Sequence, residues 1–325
     1  MNKLESYFPT SHLLAGVLAI SSLSFAMASP AADVVIGEPN WPSAKVTANI
    51  LKVILEDNLG LDVELQSGNN AVIFEAMDKG SMGVHPEVWL PNQQNLHDKY
   101  VTEKGTVLQS KNSIASKQGM CVTKYTAETT GIKNLSDLAD PEMAKHFDTN
   151  GDGKGEVWIG VPGWQSTNIE KIRAKSYGYD LTMTYKELDE SLALAEVDKA
   201  IKSKKPFVFF CYTPHHMFSL YDLVILEEPT HDAAKWIVYQ PTDHADWLEK
   251  STAGTAYSSV FLSIHYARAL EKSHPLASRI LSNVKFTTDM VSEMTYAVVV
   301  QKKSAADFAK SWISENSQLV DSWLK

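Results

Sequence analysis

The sequence predicts an α/β protein of two lobes, each a βαβαβ unit, with a ligand cleft between them. Three observations carry that expectation. Strand-like and helical stretches alternate in two successive sets, no low-complexity linker separates the sets, and aromatic residues recur just past the ends of the strands. Such alternation points to parallel strands joined by right-handed crossovers, with ligands gathering at their carboxyl ends.

Composition is consistent with this and excludes several other classes. A chain of 325 residues, 44% hydrophobic and 21% charged, suits about two ordinary domains. Two cysteines cannot staple a chain of that length into a disulfide scaffold. A net charge of −9 without a Lys/Arg-rich run lacks the footprint of a nucleic-acid binder. Eight tryptophans, by contrast, are a surplus whose positions need explaining.

At the amino end, Lys3 precedes the apolar run Leu13 to Phe25 and the A-x-A site Ala26-Met27-Ala28. The run is shorter than the roughly 20 residues of a membrane span. Residues 1–28 are therefore expected to be a signal peptide and the rest an exported, acidic, periplasmic protein. The alternative is a buried N-terminal helix. YAVVV at 296–300 is too short to span a bilayer and reads as a buried segment.

The first set opens with a strand at 33–37, followed by Glu38-Pro-Asn-Trp-Pro and a helix over 44–58 whose stripe is Val46, Ile50, Val53, Ile54 and Asp57. Leu59-Gly60 closes it. A strand at 61–65, a helix at 70–79 and a strand at 82–89 complete the set. The second comprises a strand at 157–161, a helix at 169–177, a strand at 181–185, a helix at 192–202 and strands at 206–212 and 223–227. The tail is expected to be helical from about Ser273, ending in a segment over 305–324. Lobe 1 is expected to span 33–115 plus 250–325, and lobe 2 to span 116–249.

Trp89, Trp164 and Tyr212 each end or follow a strand, and Trp41 follows the first one. Any one of them alone could be a core or rim aromatic. Four at equivalent places from two lobes would face one another across the cleft. A cage of ring faces attracts a soft cation, by about 2 kcal/mol or more per desolvated contact, and suits quaternary ammonium groups that have no N–H to donate. Trp158, Trp236, Trp247, Trp312 and Trp323 read as packing.

Trp89-Leu-Pro with Leu96-His-Asp-Lys-Tyr100, the run Phe147-Asp-Thr-Asn-Gly-Asp-Gly-Lys154, Pro162-Gly-Trp164 and Tyr212-Thr-Pro214 together resemble the periplasmic substrate-binding proteins of ABC importers for compatible solutes, the glycine betaine/proline betaine family. The resemblance extends over most of the chain beyond residue 28 and is strongest between 84 and 214. It implies a type II periplasmic binding protein, monomeric and partnered by a membrane permease, that grips a trimethylammonium head with Trp89, Trp164 and Tyr212. Trp41 stands where some branches add a further residue. This chain departs from the pattern with tyrosine at 212, where relatives carry tryptophan, and with His215 and His216 in place of aromatics.

The ligand's other end needs a partner too. Gln165 and Ser166 open a helix after Trp164, so free backbone N–H groups there suit an anionic or dipolar oxygen, and the family implies a betaine carboxylate at this place. Glu87, two residues before Trp89, shares its strand face. A carboxylate there repels a carboxylate ligand and favours a cation or an N-oxide; the alternative is a solvated strand-end acid. The expected ligand is a methylated amine, trimethylamine N-oxide or glycine betaine.

Asp148, Asn150, Asp152 and Glu156, with the carbonyl of Lys154, occupy positions 1, 3, 5, 9 and 7 of an EF-hand-like loop. Position 12 is Ile159 and not glutamate, so a structural Ca²⁺ site is expected, with a metal-free Asx turn as the alternative. Cys121 and Cys211 lie in predicted strands and are either a disulfide or two buried thiols. The sequence contains no G-x-S-x-G, H-E-x-x-H or Walker A motif, and His215-His216 reads as a polar helix start, so no catalysis is expected. An exported receptor feeding a signalling protein, or an exported enzyme acting on a methylated amine, are the alternatives.

Overall fold

Twelve strands, β1 to β12, build the described part of the chain, residues 32–325 of a computed structural model. The expected signal peptide lies outside the described residues. In order the strands are β1 (Val34–Glu38), β2 (Val63–Ser67), β3 (Val84–Leu90), β4 (Val107–Gln109), β5 (Ile114–Thr123) and β6 (Gly155–Gly160). They continue with β7 (Met183–Glu187), β8 (Val208–Thr213), β9 (Leu223–Ile225), β10 (Trp236–Ile237), β11 (Thr252–Ala253) and β12 (Val260–Ala267). The main sheet runs β2-β1-β3-β12-β5-β8-β6-β7, with β4 beside β12 and β9 beside β5. β10 and β11 form a separate hairpin.

Both expected sets of crossovers are present. β1 pairs in parallel with β2 and β3, and β6 pairs in parallel with β7 and β8. What joins them was not legible from the sequence. β12 and β5 are antiparallel to their neighbours and to each other, Val260 opposite Ser116 and Leu262 opposite Ile114. β12 comes from the carboxyl-terminal third of the chain and lies between β3 and β5. One strand group thus draws on residues 34–109 and 260–267, the other on 114–225.

Helix α1 (Pro42–Leu59) begins with proline at its first turn and ends on Gly60 at φ 66°, the left-handed conformation that glycine adopts without strain. Val46, Ile50, Val53 and Ile54 are buried as expected, while Asp57 at the end of the stripe is exposed. Helix α2 (Asn70–Lys79) is capped by Asn69, whose side chain accepts from Val72 N at 3.0 Å. Gly160 closes β6 at φ 125°, and a Cβ there would sit 2.3 Å from Thr167 Oγ1, so only glycine lets the following helix approach this closely.

Several boundaries differ from expectation. The helix after Trp164 starts at Gln165, four residues early, because Trp164 itself takes the N-cap position. The tail is helical, but the segment expected over 305–324 is two helices, Ala305–Glu315 and Ser317–Leu324, with Asn316 between them. Of the YAVVV run only Ala297 is buried; Val298 and Val299 border an open cleft. Among the described residues no helix is long and apolar enough to cross a membrane. Cys121 and Cys211 form a disulfide between the adjacent strands β5 and β8.

Candidate functional site

Four aromatic side chains meet where the two strand groups approach. Trp41 is the N-cap of α1, Trp89 is in β3, Trp164 is the N-cap of the helix Gln165–Tyr177, and Tyr212 is in β8. Each is more than nine-tenths buried. Their rings stand nearly perpendicular to one another: Trp41 to Trp164 at 6.2 Å and 88°, Trp164 to Tyr212 at 6.1 Å and 78°, and Trp89 to Tyr212 at 5.2 Å and 82°. Such edge-to-face pairs are worth about 0.5–1.5 kcal/mol each beyond their burial. All four line a common cavity of about 40 Å³.

Polar side chains complete the lining. Gln165 and Ser166, both expected from the sequence, are there, joined by Asn70, Asn92, Gln93 and Gln118, which sequence reasoning missed. Asn92 and Gln93 directly follow Trp89-Leu-Pro, a signal that was open to reading. Gln118 reaches the cavity only because β5 pairs with β8 and sets it opposite Tyr212, a register invisible to local pattern. The amide oxygens of Asn92, Gln93 and Gln165 are buried without a partner and, being acceptors, suit the positive methyl surface of a cationic head and not an anionic oxygen. No lysine or arginine lines the cavity.

Neither Trp41 nor Trp164 offers a side-chain cap to the helix it begins. The first N–H groups after Trp164 are therefore available to an anionic or dipolar oxygen. Trp164 Nε1 instead donates to Asn40 Oδ1 at 2.8 Å, joining a residue next to β1 with the residue that starts the helix after β6. Gln165 Nε2 donates to Asn95 Oδ1 at 2.9 Å in the same sense.

Glu87 is fully buried, not solvated, and stands behind the wall of the cavity rather than in its lining. Its Oε2 accepts from Trp41 Nε1 and from Ser43 Oγ, the latter at 2.7 Å, while Oε1 has no partner. Burial pushes its pKa up to about 7, against the lowering effect of donors on Ser43, Trp41 and Trp89. Behind the opposite wall, Tyr212 donates its hydroxyl to Glu190 Oε1 at 2.5 Å, and His215 Nε2 lies 3.2 Å from the same oxygen. His215 and His216 are buried and stacked at 4.3 Å, and His216 is the N-cap of the helix Met217–Leu220, the polar helix start that was expected. Burial, reinforced by His215 and Lys302, drops His216 to about 3.

The loop expected to hold calcium is folded on itself. Asp148 accepts from Gly151 N at 2.6 Å and Gly153 N at 2.9 Å, Asn150 from Asp152 N at 2.8 Å, and Asp152 from Lys154 N at 2.9 Å. Glu156 accepts from Thr149 N and Oγ1. The bonds to Asp148, Asn150 and Asp152 are Asx-turn bonds, which leave their oxygens further lone pairs. Among the described residues no group of three or more His, Cys, Asp or Glu side chains is arranged to hold a metal ion. Calcium there stands as a proposal resting on the spacing alone.

A mixed α/β fold with an aromatic-walled cavity between two strand groups defines the class: a solute-binding protein of the periplasmic-binding fold. Residues 32–315 match the family model for the substrate-binding domain of ABC-type glycine betaine transport systems, and the chain belongs to that family. Among curated relatives, the trimethylamine N-oxide-binding protein of Pelagibacter ubique is 26% identical, the match covering 94% of this chain and 96% of that one. The glycine betaine/proline betaine-binding periplasmic protein of Salmonella typhimurium is 25% identical over 64% of this chain, which spans 63% of that relative. Solved structures share the fold: lactococcal OpuAC, closed with glycine betaine, has a TM-score of 0.67 at 23% identity over 90% of this chain and 99% of its own. An ABC-transporter choline-binding protein in complex with choline has 0.71 at 20% identity over 90% and 91%.

Proposed function

We propose that this protein is the periplasmic capture subunit of an ABC importer for trimethylamine N-oxide, with glycine betaine as the second ligand. The observation that carries the reading is the set of four aromatic side chains around a small cavity with no cationic side chain in its lining. A trimethylammonium head has no N–H to donate and is attracted by ring quadrupoles, so aromatic faces suit it where acceptors suit a primary amine. A single charge-dense oxygen asks less of the lining than a carboxylate does, and the uncapped backbone N–H groups from Gln165 onward are the donors that suit it. The likeness to the Pelagibacter protein along nearly the whole chain supports the N-oxide. Glycine betaine is favoured as second by the same helix N-terminus, whose several N–H groups also suit a carboxylate.

Capture proceeds by closure. The ligand enters between lobe 1 (33–115 plus 250–325) and lobe 2 (116–249), and the closed form gains the ring contacts and the bonds of Trp164 and Gln165 to Asn40 and Asn95. A monomer delivers it to the membrane permease. Calorimetric titration of both ligands tests the reading: one-to-one binding of at least one is expected, and the absence of both heat and thermal shift with either would overturn it.

A further inference from the structure

Glu190 opens the helix Glu190–Lys202 and is buried against the back of Tyr212, 22 residues away in sequence. Its Oε1 accepts from the Tyr212 hydroxyl at 2.5 Å and faces His215 Nε2 at 3.2 Å; its Oε2 is buried and has no partner. His215 Nδ1 accepts from Met217 N at 3.2 Å, which leaves Nε2 as the N–H that donates to Glu190. Among the described residues no lysine or arginine forms an ion pair with Glu190, and none does with Glu87 behind the opposite wall. Buried carboxylates are ordinarily paired with a cation, as Glu170 is with the buried Arg173, or held by donors, as Glu156 is by Thr149 N and Oγ1. The two acids of the cage each lack a lysine or arginine and also keep one buried oxygen without any partner.

We propose that Glu190, acting through the Tyr212 phenol, is a specificity-determining residue that supplies countercharge to the ligand's cationic nitrogen. This rests on the cage reading above and adds a residue that does not line the inner cavity. An O–H donated to a carboxylate shifts electron density into the phenol ring, which deepens the negative face the ligand meets, and the carboxylate adds its own field through a dry wall. His215, packed edge-to-face on Tyr212 at 4.9 Å and 75°, positions the carboxylate from the other side. The ligand's nitrogen takes the place that Arg173 takes beside Glu170.

The alternative is that Glu190 only fixes the tyrosine's position. Glu190→Gln separates the two, because glutamine keeps an acceptor for the phenol and removes the charge. Calorimetry is run with trimethylamine N-oxide, or with glycine betaine if only that binds, on wild type, Glu190→Gln, Tyr212→Phe and the double variant. We expect each single change to weaken binding by about tenfold and the double change to cost no more than the larger single one, since both remove one interaction. A second arm compares glycine betaine with 3,3-dimethylbutanoate, which keeps the methyls and the carboxylate and replaces the charged nitrogen with carbon. Glu190→Gln is expected to reduce the preference for betaine by about tenfold, where a positioning role alone would weaken both ligands equally. Binding by Glu190→Gln within about twofold of wild type, losses that multiply in the double variant, or an unchanged preference for betaine would each overturn the proposal. If Glu190→Gln fails to fold, full affinity in Tyr212→Phe overturns it. Wild type that binds neither solute would instead remove the cage reading itself.

Discussion

Replacing Trp164 with leucine tests the cage at the ring that holds most of it together. Trp164 contacts Trp41, Tyr212 and Trp158 edge-to-face at 6.1 to 6.2 Å, and it is 6% exposed. Leucine keeps apolar bulk but presents no π-face and loses the 2.8 Å bond to Asn40. One desolvated cation–π contact of about 2 kcal/mol corresponds to a loss of roughly 30-fold in affinity. The same change costs fold stability, on the order of 2–3 kcal/mol for a large-to-small core substitution, so affinity and melting are measured separately. Trp312→Leu is the control, because Trp312 is also buried, stacks on Trp323 at 6.1 Å and lines no part of the cavity. The assay is calorimetric titration with trimethylamine N-oxide beside a thermal melt. Trp164→Leu should lose about 30-fold while Trp312→Leu loses stability alone. Binding by Trp164→Leu within about twofold of wild type, or equal losses in the two variants, would refute the reasoning.

Three further outcomes follow from the same geometry. Burial raises Glu87 from 4.5 to about 7, so its contribution to stability is complete below about 4.5 and is lost as pH rises toward 7. Chemical denaturation at a series of pH values should show the gap between Glu87→Gln and wild type moving in the variant's favour by about 1.4 kcal/mol per unit across that window; His85, which burial lowers to about 3, has the opposite slope but is common to both proteins, and a gap that does not move would show that Glu87 is ionised throughout. If loop 148–156 holds calcium, as its spacing proposes, the melting midpoint should rise with added calcium over chelator, and identical midpoints would remove the metal reading. Arg173 contacts Glu170, Glu228 and the Thr255 carbonyl while fully buried, so Arg173→Met should destabilise by about 3–5 kcal/mol in denaturant titration, and a loss under about 1 kcal/mol would show the network to be dispensable.

The sequence made the crossovers legible because parallel strands and their helices are local patterns bounded by turns. β12 was not, because its run Val260–Ala267 is broken by Ser263 and His265, shifts register between them, and follows a long irregular stretch. Its place between β3 and β5 depends on pairings across more than a hundred residues. The cage was legible for a related reason: Trp89 and Tyr212 end strands and Trp41 and Trp164 begin helices, positions visible as local punctuation. Of the tryptophan surplus, Trp158 belongs to both readings, packed in the core yet edge-on to Trp164. Glu190 carries no local signal, and His215 stood out only as half of the His215-His216 pair. They become partners of Tyr212 only when the helix Glu190–Lys202 lies against β8, which periodicity does not encode. Glu87 was singled out for the right strand but with a solvated alternative, because burial of an acid depends on what α1 places over it.

The most direct test of the cage is a crystal structure grown with trimethylamine N-oxide. The expected result is the ligand's nitrogen within about 6 Å of the ring centroids of Trp41, Trp89, Trp164 and Tyr212, with its oxygen at the amides that begin the helix Gln165–Tyr177. A ligand bound outside this cavity, or one whose methyl groups meet no ring face, would contradict it.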